Sequence, residues 1–290
     1  TEAALCFASG YSTSIGVIPS LIGKGDTVIL DKLCHASLID GARMSGATIR
    51  IYPHNNLDKL ESLLKSTSSK ADQESRILVI TESVFSMDGD IAPLEAINQL
   101  CKRYNGLLMV DEAHALGVIG PTGMGLAEEL GIQDQIDFQM GTLGKAAGVA
   151  GGYLATSRVW ADLMINRARS FIYSTAPPPA QAAAASKALE IIQSKYGCQL
   201  RQQLWDNIET FRTTSGMKTP SSSAIIPWIV GDSDKALQLS LELRNHGFLV
   251  PAIRYPTVPR HTARLRITIS SRHNQSTIKA LANHLSPPTG

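Results

Sequence analysis

The most constraining feature of this sequence is the alternation of short apolar runs with segments of helical periodicity. The apolar runs lie at residues 27–30, 48–52, 76–81, 107–110 and from 138 onward, and the helical segments between them at 36–45, 57–64 and 94–104. This alternation predicts βαβ units and therefore a mostly parallel sheet covered by helices. Ligands of such sheets bind beyond the carboxyl ends of the strands, so we expect the functional residues directly after the apolar runs.

The pattern changes after an alanine-rich helical segment at 180–194, which three consecutive prolines precede. Downstream, strands are predicted at 225–230, 249–254 and 264–269, with a helix at 234–246 and another at the end of the chain. A chain of 290 residues is long enough for two domains. We predict a large α/β domain over 1–194 and a small α+β domain over 195–290.

Composition and charge argue against several classes of protein. The net charge of +2 comes from 27 basic and 25 acidic residues that form no basic block, so nucleic-acid binding is not predicted. No apolar run reaches the roughly 18 residues of a membrane-spanning helix. Cys6, Cys34, Cys101 and Cys198 form no CxxC pair, which predicts neither a metal site nor a disulfide framework and favours a reducing, cytoplasmic setting.

The strongest local signal is Leu-Leu-Met-Val-Asp-Glu-Ala-His at 107–114, where an apolar strand leads to Asp111 and His114. Such a carboxylate can keep a pyridine nitrogen protonated and so make a cofactor ring an electron sink. It can also simply cap the following turn. Helicase-type ATPases share these letters, but they need a GxxxxGK[ST] phosphate loop, and the nearest stretch, 141–146, has the wrong glycine spacing and Ala146 after its lysine.

A second signal is the small-residue stretch 141–152, in which Lys145 follows a short strand among glycines and alanines. A flat or bulky group could approach this backbone closely. A lysine amine in a partly desolvated site has a lowered pKa and forms Schiff bases with aldehydes, and Thr142 beside it can bind a phosphate oxygen. A surface lysine on a glycine-rich turn is the structural alternative.

Three further places have the position expected of functional groups. Ser9-Gly10-Tyr11 opens a helix whose amides can bind a phosphate, whereas a GxSxG hydrolase elbow is excluded because Ser14 stands at its last glycine position. His35 follows the run at 27–30 and can stack on an aromatic ring. Ser86 follows the run at 76–81 and can donate a hydrogen bond to a ring oxygen or to substrate. Each of these residues is, by itself, also compatible with a structural role.

Together these stretches resemble the α-oxoamine synthases, fold-type I pyridoxal phosphate enzymes that join an amino acid to an acyl thioester with loss of carbon dioxide. The resemblance runs nearly end to end and rests on segments 9–11, 31–37, 81–90, 110–114, 142–145 and 255–259. It implies a large, mostly parallel α/β domain, a smaller C-terminal α+β domain and a homodimer. Segments 223–232 and 251–259 are most similar to the branch that uses L-alanine and a pimeloyl thioester of coenzyme A or a carrier protein, rather than glycine or serine.

The resemblance also implies a role for each candidate residue. Lys145 would carry the cofactor, Asp111 would pair with its ring nitrogen, and His35 would stack on its ring face. The other implied contacts are those of His114 and Ser86 with the ring oxygen, of Thr142, Gly10 and Tyr11 with the phosphate, of Arg266, Thr257 and His35 with substrate, and of Ser174 and Thr175 with the partner subunit's site.

Two features depart from the family pattern. Leu116 stands where relatives often carry a smaller residue, and we expect a natural N-terminal segment, which in the family helps to close the acyl-chain site, ahead of Thr1. A non-catalytic binding or regulatory member of the family is the remaining alternative. Such a member would be expected to have lost a central group, whereas Lys145, Asp111 and Arg266 are all present.

Overall fold

The apolar runs of the sequence form a seven-stranded sheet in the computed structural model, which describes residues 1–69 and 75–285. Its strands are β1 (Ala3–Phe7), β2 (Thr27–Asp31), β3 (Thr48–Tyr52), β4 (Ile77–Glu82), β5 (Leu107–Asp111), β6 (Phe138–Thr142) and β7 (Gly152–Thr156). In the order β1-β7-β6-β5-β4-β2-β3, the five strands from β6 to β3 pair in parallel and β7 pairs antiparallel with both neighbours. The expected mostly parallel α/β sheet is confirmed.

Helices connect and cover these strands. They are α1 (Gly10–Leu21), α2 (Ala36–Ser45), α3 (Leu57–Ser68), α4 (Leu94–Arg103), α5 (Leu126–Glu129), α6 (Arg158–Arg167), α7 (Arg169–Ile172) and α8 (Pro179–Gln193), with a short 3-10 helix at Gln133–Gln135. Every residue of β2 and of β4 is buried, as expected for strands covered on both faces, and this is why they read as continuous apolar runs. Val17 and Ile18 of α1 share one buried cluster with Met109 and Phe138 of the sheet.

The chain divides into two units by its internal contacts. The first unit comprises Thr1–Val84 and Ile91–Gly197, and the second comprises Phe85–Asp90 and Cys198–Gly290. The elements beyond α8 are α9 (Lys195–Ser215), β8 (Ile225–Gly231), α10 (Ser233–Asn245), β9 (Ala252–Ile253), β10 (Ala263–Thr268) and α11 (Gln275–Asn283). Their strands form an antiparallel sheet in the order β8-β10-β9.

The segment Phe85–Asp90 belongs to the second unit through side-chain contacts. Ser223 Oγ donates to the carbonyl of Gly89 at 2.8 Å, and Arg264 forms an ion pair with Asp88. Gly89 has a φ of +69°, and a Cβ at this position would overlap the carbonyl oxygen of Ile225. Glycine is therefore required where this segment meets β8.

One helix and one strand in the second half of the chain differ from the expectations. Helix α9 is not among the predicted elements, and the strand expected at 249–254 is reduced to Ala252–Ile253, because only this part pairs with β10. None of the described helices combines the length and the apolar character needed to cross a membrane.

Candidate active site

A cavity of about 250 Å³ lies at the carboxyl ends of β4, β5 and β6, where the topology leads us to expect a ligand. Its walls come from the start of α1, the turn before α2, the three strand ends and the turn after β6. The lining residues are Ser9, Gly10, Tyr11, His35, Ser37, Glu82, Asp111, Ala113, His114, Met140, Gly141, Thr142 and Lys145. Among the residues that the structure describes, no group of three or more His, Cys, Asp and Glu side chains is arranged to hold a metal ion.

Seven of the residues that were predicted from separate motifs line this one cavity. These are Gly10, Tyr11, His35, Asp111, His114, Thr142 and Lys145. Ser86, Thr257 and Arg266 belong to the second unit, and their part in this site stays a prediction.

Lys145 lies in the turn between β6 and β7, with its Nζ 2.9 Å from Nε2 of His114. The turn is closed by the N–H of Gly148, which donates to the carbonyl of Lys145 at 3.1 Å, and Gly148 has a φ of +67° that favours glycine. At this distance the amine and the imidazole share a hydrogen bond in which the neutral group accepts. The pair can therefore hold a proton at the cavity wall and pass it on.

Asp111 ends β5 and has only 6% of its surface exposed. Its Oδ1 accepts the N–H of Ala113 at 2.9 Å. Burial raises the pKa of this carboxyl, while the N–H of Ala113 and the positive charge of Lys145 act in the opposite direction. A cationic group on a ligand would stabilise the ionised form further, so the cavity suits a protonated ring nitrogen at this wall.

Glu82 ends β4 beside Asp111 and lines the same cavity, although it is not among the residues predicted from the sequence. Its surface is 3% exposed, and one oxygen accepts the main-chain N–H of His35. Burial raises its pKa well above the usual value, and the charge of Asp111 raises it further. The signal that identifies Glu82 is its position as the last residue of a buried parallel strand, which is also the position of Asp111.

The start of α1 presents amide groups to the cavity. Ser9 is the N-cap, and its Oγ and its carbonyl accept the N–H groups of Ser12 and Thr13, each at 3.0 Å. The first N–H groups of a helix have no partner within the helix. Those of Gly10 and Tyr11, which lie at the cavity, can therefore bind an anion.

Thr142 closes the same corner of the cavity. Its Oγ1 donates to the carbonyl of Gly151 at 3.1 Å and accepts the N–H of Gly144 at 3.2 Å. A Cβ on Gly10 would lie 3.2 Å from the Cβ of Thr142, closer than most carbon contacts. Glycine at position 10 therefore lets the helix start approach the threonine, and an anion held there could be reached by Thr142 when its hydroxyl turns away from the carbonyl of Gly151.

Hydrogen bonds between its imidazole ring and Ser37 fix the side chain of His35 at the start of α2. Its Nδ1 accepts the N–H of Ser37 at 3.2 Å and lies 2.9 Å from Ser37 Oγ, which is 3.1 Å from the buried Ser14 Oγ. Because Nδ1 is an acceptor, the proton of the neutral ring is on Nε2. These contacts fix the imidazole at the cavity edge.

Arg266 lies in β10 of the second unit, half-buried. Its Nε donates to the carbonyl of Ser86 at 2.6 Å and its Nη1 donates to Thr268 Oγ1 at 3.0 Å. Burial lowers the pKa of the guanidinium. The predicted residues Ser86 and Arg266 are thus in direct contact, whereas Thr257 is an exposed turn residue whose N–H donates to the carbonyl of Arg254 at 2.9 Å.

Comparison with known proteins gives one consistent result. Residues 1–285 match the aminotransferase class I and II family. The chain is 46% identical over 283 residues to the 8-amino-7-oxononanoate synthase of Geobacter sulfurreducens, covering 96% of this chain and 71% of that protein. Two examples represent the solved structures that are similar to it. One is SPT with a PLP internal aldimine (TM-score 0.91, 31% identity, 98% and 71% of the two chains). The other is the 8-amino-7-oxononanoate synthase of Francisella tularensis (TM-score 0.82, 28% identity, 97% and 80%).

Proposed function

We propose, since this chain belongs to the aminotransferase class I and II family and there to the branch of the 8-amino-7-oxononanoate synthases, that it joins L-alanine to a pimeloyl thioester. The reaction releases carbon dioxide and a thiol and yields 8-amino-7-oxononanoate for biotin biosynthesis. The observation that carries the proposal is the meeting of Lys145, His114 and Asp111 in one cavity at the strand ends.

The residues of the cavity fit pyridoxal phosphate, the cofactor of fold-type I enzymes. The group combines an aldehyde, a basic ring nitrogen and a phosphate, and the cavity offers an amine on Lys145, a buried carboxylate on Asp111 and the amides at the start of α1. Lys145 Nζ would bind the aldehyde carbon, and Asp111 the ring nitrogen. The further contacts that we propose are the amides of Gly10 and Tyr11 and Thr142 Oγ1 with the phosphate, His35 with the ring face, and His114 and Ser86 with the ring oxygen.

The chemistry divides between the cofactor and the protein. The cofactor, when bound, supplies an electron sink for the substrate carbon that loses its proton. Lys145 Nζ takes the α-proton of alanine and later returns a proton to the same carbon, while His114 orients the amine through their hydrogen bond. Between these steps the alanine carbon bonds to the pimeloyl carbonyl carbon, the thiol leaves, and the carboxylate leaves as carbon dioxide.

We assign recognition of the amino acid to Arg266 and Thr257. A guanidinium binds a carboxylate through two parallel N–H groups, and Arg266 is half-buried, which strengthens such a contact. We assign a substrate contact to His35 as well. These assignments rest on the chemistry of the side chains and on the family pattern.

A second candidate is a sister reaction that uses glycine or L-serine. The similarity to the SPT structure, with a TM-score of 0.91, favours it, because that enzyme's full name in another solved structure is serine palmitoyltransferase. The 46% identity to the Geobacter sulfurreducens protein, against 31% to SPT, favours alanine. We therefore place the alanine reaction first.

We further propose a cytoplasmic homodimer. All four cysteines carry free thiols, which suits a reducing compartment. Ser174 and Thr175 are exposed next to Tyr173, whose side chain is 73% exposed, so this segment is available to a partner subunit. We propose that Ser174 and Thr175 contact the partner's site.

The proposed reaction is tested by incubating the protein, loaded with pyridoxal phosphate, with pimeloyl-CoA or a pimeloyl carrier protein and L-alanine, glycine or L-serine in turn. We expect 8-amino-7-oxononanoate, detected by mass spectrometry, from L-alanine only. Lys145→Ala should give none, whereas Lys187→Ala, an exposed lysine paired with Glu190, should match the wild type. Product from glycine or serine alone would assign the chain to the second candidate.

A further inference from the structure

Two carboxyl groups end neighbouring strands at the cavity, and the proposed reaction uses only one of them. Glu82 and Asp111 are register partners on β4 and β5, and their surfaces are 3% and 6% exposed. Parallel strands lie about 4.8 Å apart, and two buried carboxyl groups at such separations do not both ionise readily. Placing both carboxyl groups at these strand ends therefore favours a state in which one of the two keeps its proton.

The surroundings of the two carboxyl groups differ. Asp111 accepts the N–H of Ala113, and the charge of Lys145 favours its ionised form. For Glu82, burial raises the pKa well above the usual range and the charge of Asp111 raises it further, while the N–H of His35 and the charge of Lys145 act in the opposite direction with smaller effect. The titratable groups that act on Glu82 or are affected by it are Asp111 on β5, Asp31 on β2, Cys34 before α2 and Lys145 after β6. The main-chain N–H of His35 acts on it as well.

The hydrogen bond of Glu82 connects it to the cofactor site. Its Oε1 accepts the main-chain N–H of His35, the residue that caps α2 and whose ring lines the cavity. A carboxylic acid accepts this bond through its carbonyl oxygen as a carboxylate does. Glu82 can therefore fix the main chain under His35 without adding a second negative charge beside Asp111.

We propose that Glu82 is a positioning residue that acts as a neutral carboxylic acid: it holds the His35 main chain in place and leaves Asp111 as the carboxylate of the cavity. The inference rests on the proposed function for the roles of His35 and Asp111. The protonation of Glu82 is a property of the protein alone and can be measured without substrate.

The protonation state is tested by thermal unfolding of the wild type and of Glu82→Gln, without cofactor, from about pH 5 to about pH 8. A carboxyl group whose pKa is raised by folding stays protonated in the folded chain while the unfolded chain ionises above about pH 4.3, so the wild type loses stability as pH rises. Glutamine cannot ionise. The melting temperature of Glu82→Gln relative to the wild type should therefore increase with pH.

The matched control is Glu95→Gln, an exposed residue in the first turn of α4, for which this difference should stay flat. A difference in melting temperature between Glu82→Gln and the wild type that stays flat or falls as pH rises would mean that Glu82 is already ionised in the fold over this range, and would overturn the proposal. Failure of Glu82→Gln to fold would overturn it too, because a neutral residue of the same shape should be tolerated.

The positioning role is tested by comparing alanine and glutamine at the same site. Glu82→Ala removes the acceptor of the His35 N–H, and affinity for pyridoxal phosphate should fall by about 10-fold or more, whereas Glu82→Gln should restore most of this loss. Equal losses in both variants, or no loss with alanine, would contradict the role. If the wild type makes no product from alanine, the proposed function fails, while cofactor affinity and the melting series still decide the role of Glu82.

Discussion

Asp111 illustrates how the surroundings of one side chain determine its chemistry. Burial raises the pKa of its carboxyl, and nearby positive charge and one N–H lower it again. A ligand that brings a further positive charge would therefore stabilise the ionised form of Asp111 and bind to it. The neighbouring Glu82 has the same strand-end position but keeps its proton, so two similar residues take different roles.

The variant Asp111→Asn keeps the size of the side chain and removes its charge. We expect kcat and the affinity for pyridoxal phosphate each to fall by about 10- to 150-fold, since a charge-assisted hydrogen bond contributes about 1.5–3 kcal/mol. Steady-state kinetics and cofactor titration measure both. Asp162→Asn, at an exposed position of α6, is the control. Unchanged kinetics in Asp111→Asn would show that the carboxylate is structural.

The variant Arg266→Ala tests recognition of the amino acid. Loss of a bidentate contact to the carboxylate should raise the KM for alanine by about 10- to 150-fold with a smaller effect on kcat. The exposed Arg272 offers a comparison, and Arg272→Ala should leave KM unchanged. An unaltered KM in Arg266→Ala would show that this arginine does not bind the amino acid. Its role would then be the structural hydrogen bond to the carbonyl of Ser86 at 2.6 Å.

At the scale of single residues, the sequence indicates Lys145 and Asp111 because they stand in distinctive motifs directly after apolar runs. It does not indicate Glu82, which reads as the end of a buried strand until the sheet order places it beside Asp111. Contacts across strands depend on pairing, and one sequence does not reveal pairing. The same reason hides the contact of Arg266 with Ser86, which are 180 positions apart.

Among the elements, the short helix α5 depends on one buried side chain. Glu112, whose pKa burial raises, accepts the N–H groups of Leu126 and Ala127 at 3.0 and 2.9 Å, and these amides have no partners inside the first turn. The carboxylate of Glu112, the residue next to Asp111, thus caps a helix that begins more than ten positions later in the sequence. The Asp-Glu-Ala-His motif alone does not predict this role for Glu112.

We expect Glu112→Ala to lower the free energy of unfolding by about 2–6 kcal/mol, because two buried amides lose their acceptor at about 1–3 kcal/mol each. Chemical denaturation followed by circular dichroism measures this change. Glu129→Ala, at an exposed position in the same helix, should change stability by less than about 0.5 kcal/mol. If both variants are equally stable, the capping role of Glu112 is wrong.

Apolar runs predict the strands of the sheet well, because a covered parallel strand is apolar on both faces. In the second unit, apolar runs predict the bounds of the strands less well. The run at 249–254 is apolar, but Leu249 is 86% exposed and only Ala252–Ile253 pair with a neighbour. The assignment of Phe85–Asp90 to the second unit depends on Ser223 and Arg264, which are far away in the sequence.

At the scale of the whole molecule, the central expectation is the homodimer. The exposed segment around Tyr173, Ser174 and Thr175 would be covered by a partner. We expect the protein loaded with pyridoxal phosphate to sediment as a dimer rather than at the chain mass of 31.1 kDa. Tyr173→Asp, which places a charge on this surface, should shift the equilibrium toward the monomer. A fully active monomer would contradict the dimer proposal.

The most direct test of the account is to identify the residue that holds the cofactor. The protein is loaded with pyridoxal phosphate, the covalent link is reduced with borohydride, and the labelled peptide is sequenced by mass spectrometry. We predict a single label on Lys145, with none retained in Lys145→Ala. A label on another lysine, or no label on a fully loaded wild type, would contradict the assignment of Lys145 and with it the proposed reaction.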